Sequence, residues 1–228
     1  MNSYLSTCYK ELTPGSTLLD VGCLGFDQYA HCESIKPKAF SHYGIDYCRP
    51  EHVPEGVHFD QVDLNKEALP YPDDFFDFVL AKHIIEHLRD PITFFSELIR
   101  VTKPGGKVYI EAPSERSLLL PQMPFQHDKF FSLSFFDDPT HMSRPWPPQA
   151  LYRLSMLFGC TPLIAKHLIS WKHRLLFPFV SLFALITRNG KLLERNVWQT
   201  VGWASFLLVQ KPESLSGMPE FNYYIPDR

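Results

Sequence analysis

The chain has 228 residues, a formal net charge of −3, 45% hydrophobic residues and 21% charged ones. These are ordinary values for a globular domain large enough to bury a core, and the near-neutral balance gives no electrostatic footprint for nucleic acid. Cys8, Cys23, Cys32, Cys48 and Cys160 show no C-x-x-C spacing, so neither a zinc site nor a disulfide framework is expected from them, and they read as free thiols in a reducing, cytoplasmic compartment. The opening MNSYLSTCYKELTPG has no basic region followed by an apolar one, and no secretory signal is expected.

Strands and helices alternate through the first half. After the Pro14-Gly15 turn, residues 16–21 (STLLDV) form a short apolar run, 43–46 (YGID) a second, and 58–64 (HFDQVDL) a third that alternates apolar and polar. Residues 75–81 (FFDFVLA) are nearly continuous in hydrophobicity, as a strand buried on both faces should be. Residues 107–111 (KVYIE) are the fifth strand. Between the last two, Asp90 suits an N-cap and Pro91 the first helical position. Ile92, Phe95, Leu98 and Ile99 then recur at helical spacing, and Pro104-Gly105-Gly106 ends the helix. Such alternation implies a parallel sheet with right-handed crossovers.

The second half is less regular. Residues 114–147, rich in Pro and Phe, are too long for a plain connection and read as a lid or binding loop. Pro147-Pro148 opens a helix carrying Leu151, Leu154, Leu157 and Phe158, and residues 161–169 and 200–210 read as the last two strands. Between these lies 175–187 (LLFPFVSLFALIT), an uncharged apolar run of 13 residues interrupted by Pro178. A spanning helix needs about 20 residues, so a transmembrane segment is not expected. The first expectation is a buried helix; the second is a surface that touches lipid or covers an apolar substrate.

Chemistry collects at the strand ends, where open α/β sheets place their sites. Asp20-Val21-Gly22-Cys23 is a strand running into a glycine turn, which lets backbone approach a ligand closely. Asp46 ends the next strand 24 residues after Gly22, a spacing at which an acid accepts hydrogen bonds from ribose hydroxyls. Asp63 ends the third. Lys82, His83, Glu86 and His87 follow the fourth, and Glu111 to Ser114 close the fifth.

The order LLDVGC, YGID, DQVDLNKEALPYPDDFFDFVLAKHIIEHLRDP and ELIRVTKPGGKVYIEAP over residues 16–113 resembles the class I S-adenosylmethionine-dependent methyltransferases. It is most similar to the small-molecule and glycan branch, and DPTHMSRPWPPQALYRLSMLFGC resembles a later segment of that branch. The resemblance implies an α/β, Rossmann-like fold: a seven-stranded, mostly parallel sheet with helices on both faces. It would be one domain over 1–228, with a cofactor core at about 14–113 and substrate loops at about 114–147 and 173–198. It implies S-adenosylmethionine as cofactor and S-adenosylhomocysteine as product. Asp20, Gly22 and Cys23 would line the methionine part, Asp46 would take the ribose, Tyr47 would pack against adenine, and Asp63 and Leu64 would hold its edge. Lys82 and His83 would lie beside the sulfonium and the acceptor.

The family's turn reads D-x-G-x-G-x-G, whereas two of its glycine positions here hold Leu24 and Phe26. Side chains there would crowd the cofactor or force a different turn. They motivate the alternative of a non-catalytic, methyltransferase-like binding protein. With 16 residues between Asp46 and Asp63, the intervening helix must be vestigial. His83-Ile84-Ile85-Glu86-His87 matches H-x-x-E-H, a zinc pattern on a helical face. It directly follows a buried strand and has no third ligand evident in sequence, so no metal is expected; Glu86 and His87 read as ties to neighbouring loops. His141, with His83, is a candidate base for a hydroxyl acceptor. Arg144 and His127 are candidate substrate contacts, Arg144 for a carboxylate or phosphate. The expected reaction is O-methylation of a small molecule or glycan-type acceptor with an apolar portion.

Overall fold

In the computed structural model, which describes residues 3–121 and 133–213, seven strands form one sheet. They are β1 (Thr17–Val21), β2 (Ser41–Asp46), β3 (Val57–Gln61), β4 (Phe76–Lys82), β5 (Thr102–Pro113), β6 (Thr161–His167) and β7 (Ala204–Gln210). The helices are α1 (Ser3–Glu11), α2 (Asp27–Ile35), α3 (Pro91–Val101), α4 (Pro148–Leu157), α5 (Trp171–Ile186) and α6 (Gly190–Val201). The spatial order is β3-β2-β1-β4-β5-β7-β6. β7 alone runs antiparallel, to both β5 and β6. This is the expected mostly parallel, Rossmann-like sheet.

The pleat sorts the side chains into two cores. Leu19, Val79, Ala81, Val108 and Leu207 face one side, where Phe95 and Leu98 of α3 and Leu151 and Leu154 of α4 meet them. Their neighbours in sequence, Leu18, Phe78, Leu80, Tyr109 and Phe206, face the other, against Leu5, Cys8 and Tyr9 of α1 and Cys32 of α2. β4 supplies both faces, which is why 75–81 is apolar throughout.

α3 starts as its sequence implies. Asp90 accepts a hydrogen bond from the Thr93 amide at 3.0 Å, with Pro91 in the first turn. Its inner face differs by one position from expectation: Phe94 is buried and Ile92 is 49% exposed. Pro104-Gly105-Gly106 does not merely stop the helix. It lies inside β5, whose pairing with β4 shifts register between Phe76 and Phe78. β2 and β3 are joined without a helix. Residues 200–201 end α6 rather than begin a strand, and Gly202 caps that helix at φ 79°.

The run 175–187 corrects the first expectation made for it. Residues 175–186 are helical, within α5, and Thr187 caps it, but the run is not buried. Ala184 is its one buried residue, while Phe179 is 71% and Ile186 73% exposed. α5 and α6 are inserted between β6 and β7 and pair with each other, and neither contributes to the two core clusters among the described residues. Buried Asn196 on α6 donates to the Phe177 carbonyl at 3.2 Å and to Ser181 Oγ at 3.0 Å, holding α5 beside its internal Pro178. No helix of the described residues is long and apolar enough to cross a membrane.

Candidate functional site at the strand ends

The carboxyl ends of β1, β2 and β3 and the turn after β4 converge on a cleft of about 480 Å³, lined by Gly22, Asp46, Tyr47, Val62, Asp63, Leu64, Ile84, His87, Arg89 and Met142 among others. That volume lies in the usual range for small-molecule sites. Gly22 sits at φ +81°, and a Cβ there would fall 2.2 Å from Ile84 Cδ1. Only glycine both adopts that backbone and leaves room for Ile84.

Asp46 is fixed by the backbone around it. Its Oδ2 accepts from the Leu24 amide at 3.1 Å and its Oδ1 from the Cys48 amide at 3.0 Å. Each oxygen keeps a lone pair for a ligand hydroxyl. Asp63 is held by Lys66 Nζ at 2.9 Å and the Asn65 amide at 3.1 Å, and its carboxyl lies below its ordinary value chiefly through the Lys66 contact.

The glycine turn has been rebuilt rather than filled. Leu24 is 56% exposed, and Phe26 is buried at φ 53° as the cap of α2. Neither lines the cleft. Gly25 sits at φ +87° with open space about its Cβ position, and Phe26, at one of the missing glycine positions, itself stands in the left-handed region.

The cleft thus gathers Gly22, Asp46, Tyr47, Asp63 and Leu64, but Asp20, Cys23 and Lys82 are not in its lining. Cys23 is buried with Sγ against Gly44, so close that a Cβ there would lie 2.7 Å from the sulfur. Asp20 is pushed up to about 7 by burial, against the pull of nearby Lys82. Lys82 lines a separate hollow with Asp27 and His31 and lies 3.7 Å from Glu111. Tyr47 is 67% exposed at the cleft's edge.

His83 occupies a strained left-handed conformation, φ 54°. Its Nδ1 faces Glu86 Oε1 and its Nε2 faces Glu111 Oε1, both at 3.3 Å. Burial opposes its charge, but hydrogen bonds and charge from Glu111 and Glu86 outweigh that and raise it to about 9. Burial likewise opposes charge on Glu111, and His83 and Lys82 reverse it, holding the carboxyl at about 2. Both ring nitrogens of His83 thus face carboxylate oxygens, an arrangement that favours the protonated ring and occupies the nitrogens a substrate proton would need.

His141 stands differently. Its side chain is 5% exposed and its Nδ1 lies 2.7 Å from the Phe135 carbonyl, which only accepts. In the neutral ring Nδ1 then carries the hydrogen and Nε2 the lone pair; the residue adjoins His87 but is not itself in the cleft's lining. Arg144 stacks on Trp146 at 5.0 Å and lines a second hollow of about 720 Å³ with Arg89 and Arg153. The hollow shares Arg89 and Met142 with the main cleft. His127 lies outside the described residues. Sequence reasoning missed Ile84, Arg89, Thr140 and Met142 as cleft residues. For Ile84 and Arg89 a signal existed, since they flank the polar strand end; Thr140 and Met142 come from a distant loop.

A family model described as a methyltransferase domain matches residues 2–163. The demethylmenaquinone methyltransferase of Anoxybacillus flavithermus is 34% identical over 114 residues, a match covering 46% of this chain and 48% of that protein. The chain thus spans about half the length of the curated relatives it matches. Among solved structures, an S-adenosylmethionine-dependent methyltransferase from Mesorhizobium loti superposes with a TM-score of 0.57 at 14% identity, over 90% of this chain and 96% of that one. The Haemonchus contortus phosphoethanolamine N-methyltransferase 2, in complex with phosphomonomethylethanolamine and S-adenosylhomocysteine, gives a TM-score of 0.63 at 14% identity, over 92% of this chain and 52% of that one. At such identities these likenesses speak for the fold.

Proposed function

Because the chain belongs to the class I S-adenosylmethionine-dependent methyltransferases, we propose that it methylates an oxygen of a small-molecule or glycan-type acceptor and releases S-adenosylhomocysteine. The observation that carries this is the cleft, with Gly22, Asp46 and Asp63 on three successive strand ends around one volume. These residues fit the cofactor: a close backbone approach, a carboxylate with free lone pairs for ribose, and a second acid beside Leu64 for the adenine edge. Tyr47 covers the base from the rim. When bound, the cofactor supplies an electrophilic methyl on a sulfonium and departs as a thioether.

The chain's own groups then divide the work. Asp20 and Lys82, which stand outside the cleft's lining, are assigned to the methionine end by the family resemblance, and Cys23 shapes the turn by packing on Gly44. His141 Nε2 is the base for the acceptor hydroxyl. His83 holds the ends of β4 and β5 together through Glu111 and is not that base. Arg144, with Arg89 and Arg153, receives an anionic group on the acceptor. His127 remains assigned to substrate. We assign the activity to the cytoplasm, where five unpaired thiols stay reduced.

α5 is the membrane contact of this reading, on an anionic bilayer. Residues 171–201 carry Lys172, Arg174, Arg188, Lys191 and Arg195 against the single acid Glu194, in a chain of net charge −3. Exposed Trp171, Phe179 and Ile186 beside those cations have the character of an interfacial helix. Co-sedimentation with phosphatidylserine vesicles, lost in Phe179→Ser/Ile186→Ser and absent with phosphatidylcholine alone, is the expected result.

Calorimetric titration with S-adenosylhomocysteine tests the central reading. Binding, followed by mass spectrometry showing methyl addition to hydroxylated anionic acceptors, supports it. No binding would leave the non-catalytic alternative.

A further inference from the structure

We propose that Glu86, His87 and His141 form a binding site for a divalent transition-metal ion at the edge of the cofactor cleft. One ligand atom from each lies within 4.8 Å of the others. No metal was expected because H-x-x-E-H alone lacked a third ligand. The fold changes both the set and the geometry. Ile85–His87 is a short 3-10 turn, His83 is committed to two carboxylates, and His141 arrives from the loop before α4.

A second observation points to a cation. Glu86 is 1% exposed, and its Oε2 has no hydrogen-bond partner. Its other oxygen faces His83. A carboxylate oxygen taken from water and met by nothing is unfavourable, and a metal ion beside His87 and His141 would meet it.

The histidine tautomers are set for ligation by their other nitrogens. The Thr140 hydroxyl donates to Asp138 Oδ1 at 2.5 Å, so its oxygen accepts from His87 Nδ1 at 3.0 Å, and the Thr140 carbonyl lies 3.3 Å from the same nitrogen. His141 Nδ1 donates to the Phe135 carbonyl at 2.7 Å. Both Nε2 atoms are therefore left with lone pairs, each ring oriented by an outer carbonyl as metal-bound histidines are. Asp138 Oδ2, 3.8 Å from His141 Nε2, adds negative charge nearby. Two imidazoles and one carboxylate suit Zn²⁺ or a neighbouring first-row ion and leave coordination positions open. Mg²⁺, which prefers oxygen, is disfavoured.

His87, Thr140 and Met142 line the cofactor cleft, so an ion held here adjoins the bound substrates. This deepens the proposed reaction and rests on it. The ion would bind the acceptor hydroxyl and lower its pKa, releasing the proton to solvent. The oxygen forms its bond to the methyl carbon as the carbon–sulfur bond breaks, and that electron pair stays on sulfur. With the ion bound, His141 Nε2 is a ligand, and acidification of the hydroxyl replaces proton abstraction by a free imidazole.

The test is Co²⁺ and Zn²⁺ titration of the chelator-treated full chain, read by visible absorbance and calorimetry. One equivalent should bind at micromolar affinity or tighter, with Mg²⁺ failing to compete. Glu86→Gln, His87→Gln and His141→Asn should each weaken Co²⁺ binding at least tenfold. Far-ultraviolet circular dichroism and thermal melts of the same samples report folding independently of the cleft, which His87 lines; this keeps the histidine variants informative if Glu86→Gln misfolds. No Co²⁺ or Zn²⁺ binding by wild-type protein that still binds S-adenosylhomocysteine overturns the metal site and leaves the methyltransferase reading intact. Undiminished Co²⁺ binding in folded His87→Gln and His141→Asn also overturns it. Metal binding without S-adenosylhomocysteine binding removes the proposed reaction and keeps the metal site.

Discussion

Ile85, in the turn after β4, is 1% exposed, and Ile186, at the end of α5, is 73% exposed. Each lies in or just after an apolar stretch whose hydrophobicity leads one to expect burial. The difference lies in how many elements surround each one. β4 has a strand on either side and helices over both faces, so every direction from it is filled. α5 has α6 and little else, because the hairpin leaves the sheet between its last two strands. Hydrophobicity sets what a segment gains by burial; topology sets whether burial is available.

The largest effect that tests this contrast is on stability. Phe76→Ala, at a fully buried position of β4, should cost about 3–5 kcal/mol in urea denaturation. Phe179→Ala should stay within about 0.5 kcal/mol, and an equal loss would show that the exposed face of α5 is covered in solution. Next comes the cleft. Asp46→Ala should weaken S-adenosylhomocysteine binding by roughly 1.5–3 kcal/mol, about tenfold or more, in calorimetry.

A smaller effect falls on the hairpin. Burial pushes Glu194 up to about 7, against an ordinary value near 4.5. The folded state thus holds its proton where the unfolded chain has lost it, so stability is full below about pH 4.5 and declines as pH rises through 7. The decline should be on the order of 2 kcal/mol, and Glu194→Gln should abolish that component of a pH series of melts. The smallest effect belongs to the glycine turn. Leu24 is exposed and does not line the cleft, so Leu24→Gly should leave cofactor affinity unchanged within error and cost at most about 1 kcal/mol of stability through added chain entropy. Tighter binding in this variant would mean that the leucine does crowd the site.

The strands were legible wherever local pattern and final environment agreed. Residues 16–21 and 75–81 read as strands because alternating or continuous hydrophobicity reports one or two buried faces directly. The placement of Asp46 and Asp63 beside the cleft was legible because β2 ends at Asp46 and β3 stops two residues before Asp63, which sets both acids at the same edge of the sheet. What escaped notice was set by distant parts of the chain. Nothing local to His87 announces that the loop carrying Thr140 and His141 will fold onto it. His83 looks like a base until Glu111, on the neighbouring strand, is seen 3.3 Å from its Nε2. Gly105 and Gly106 read as a helix stop, and backbone hydrogen bonds to Lys211, just past β7, hold them within β5 at its register break with β4.

The thiols carry a practical consequence. Cys8, Cys23, Cys32 and Cys160 are buried, and burial raises each to about 11 or 12, so they stay protonated and shielded. Cys48 is exposed, and its amide is one of the two that hold Asp46. Since thiolate character and access govern alkylation, a maleimide should label the native protein at this one residue, beside the cleft. The rate of labelling then becomes a footprint of cofactor occupancy, readable by mass without knowledge of the acceptor.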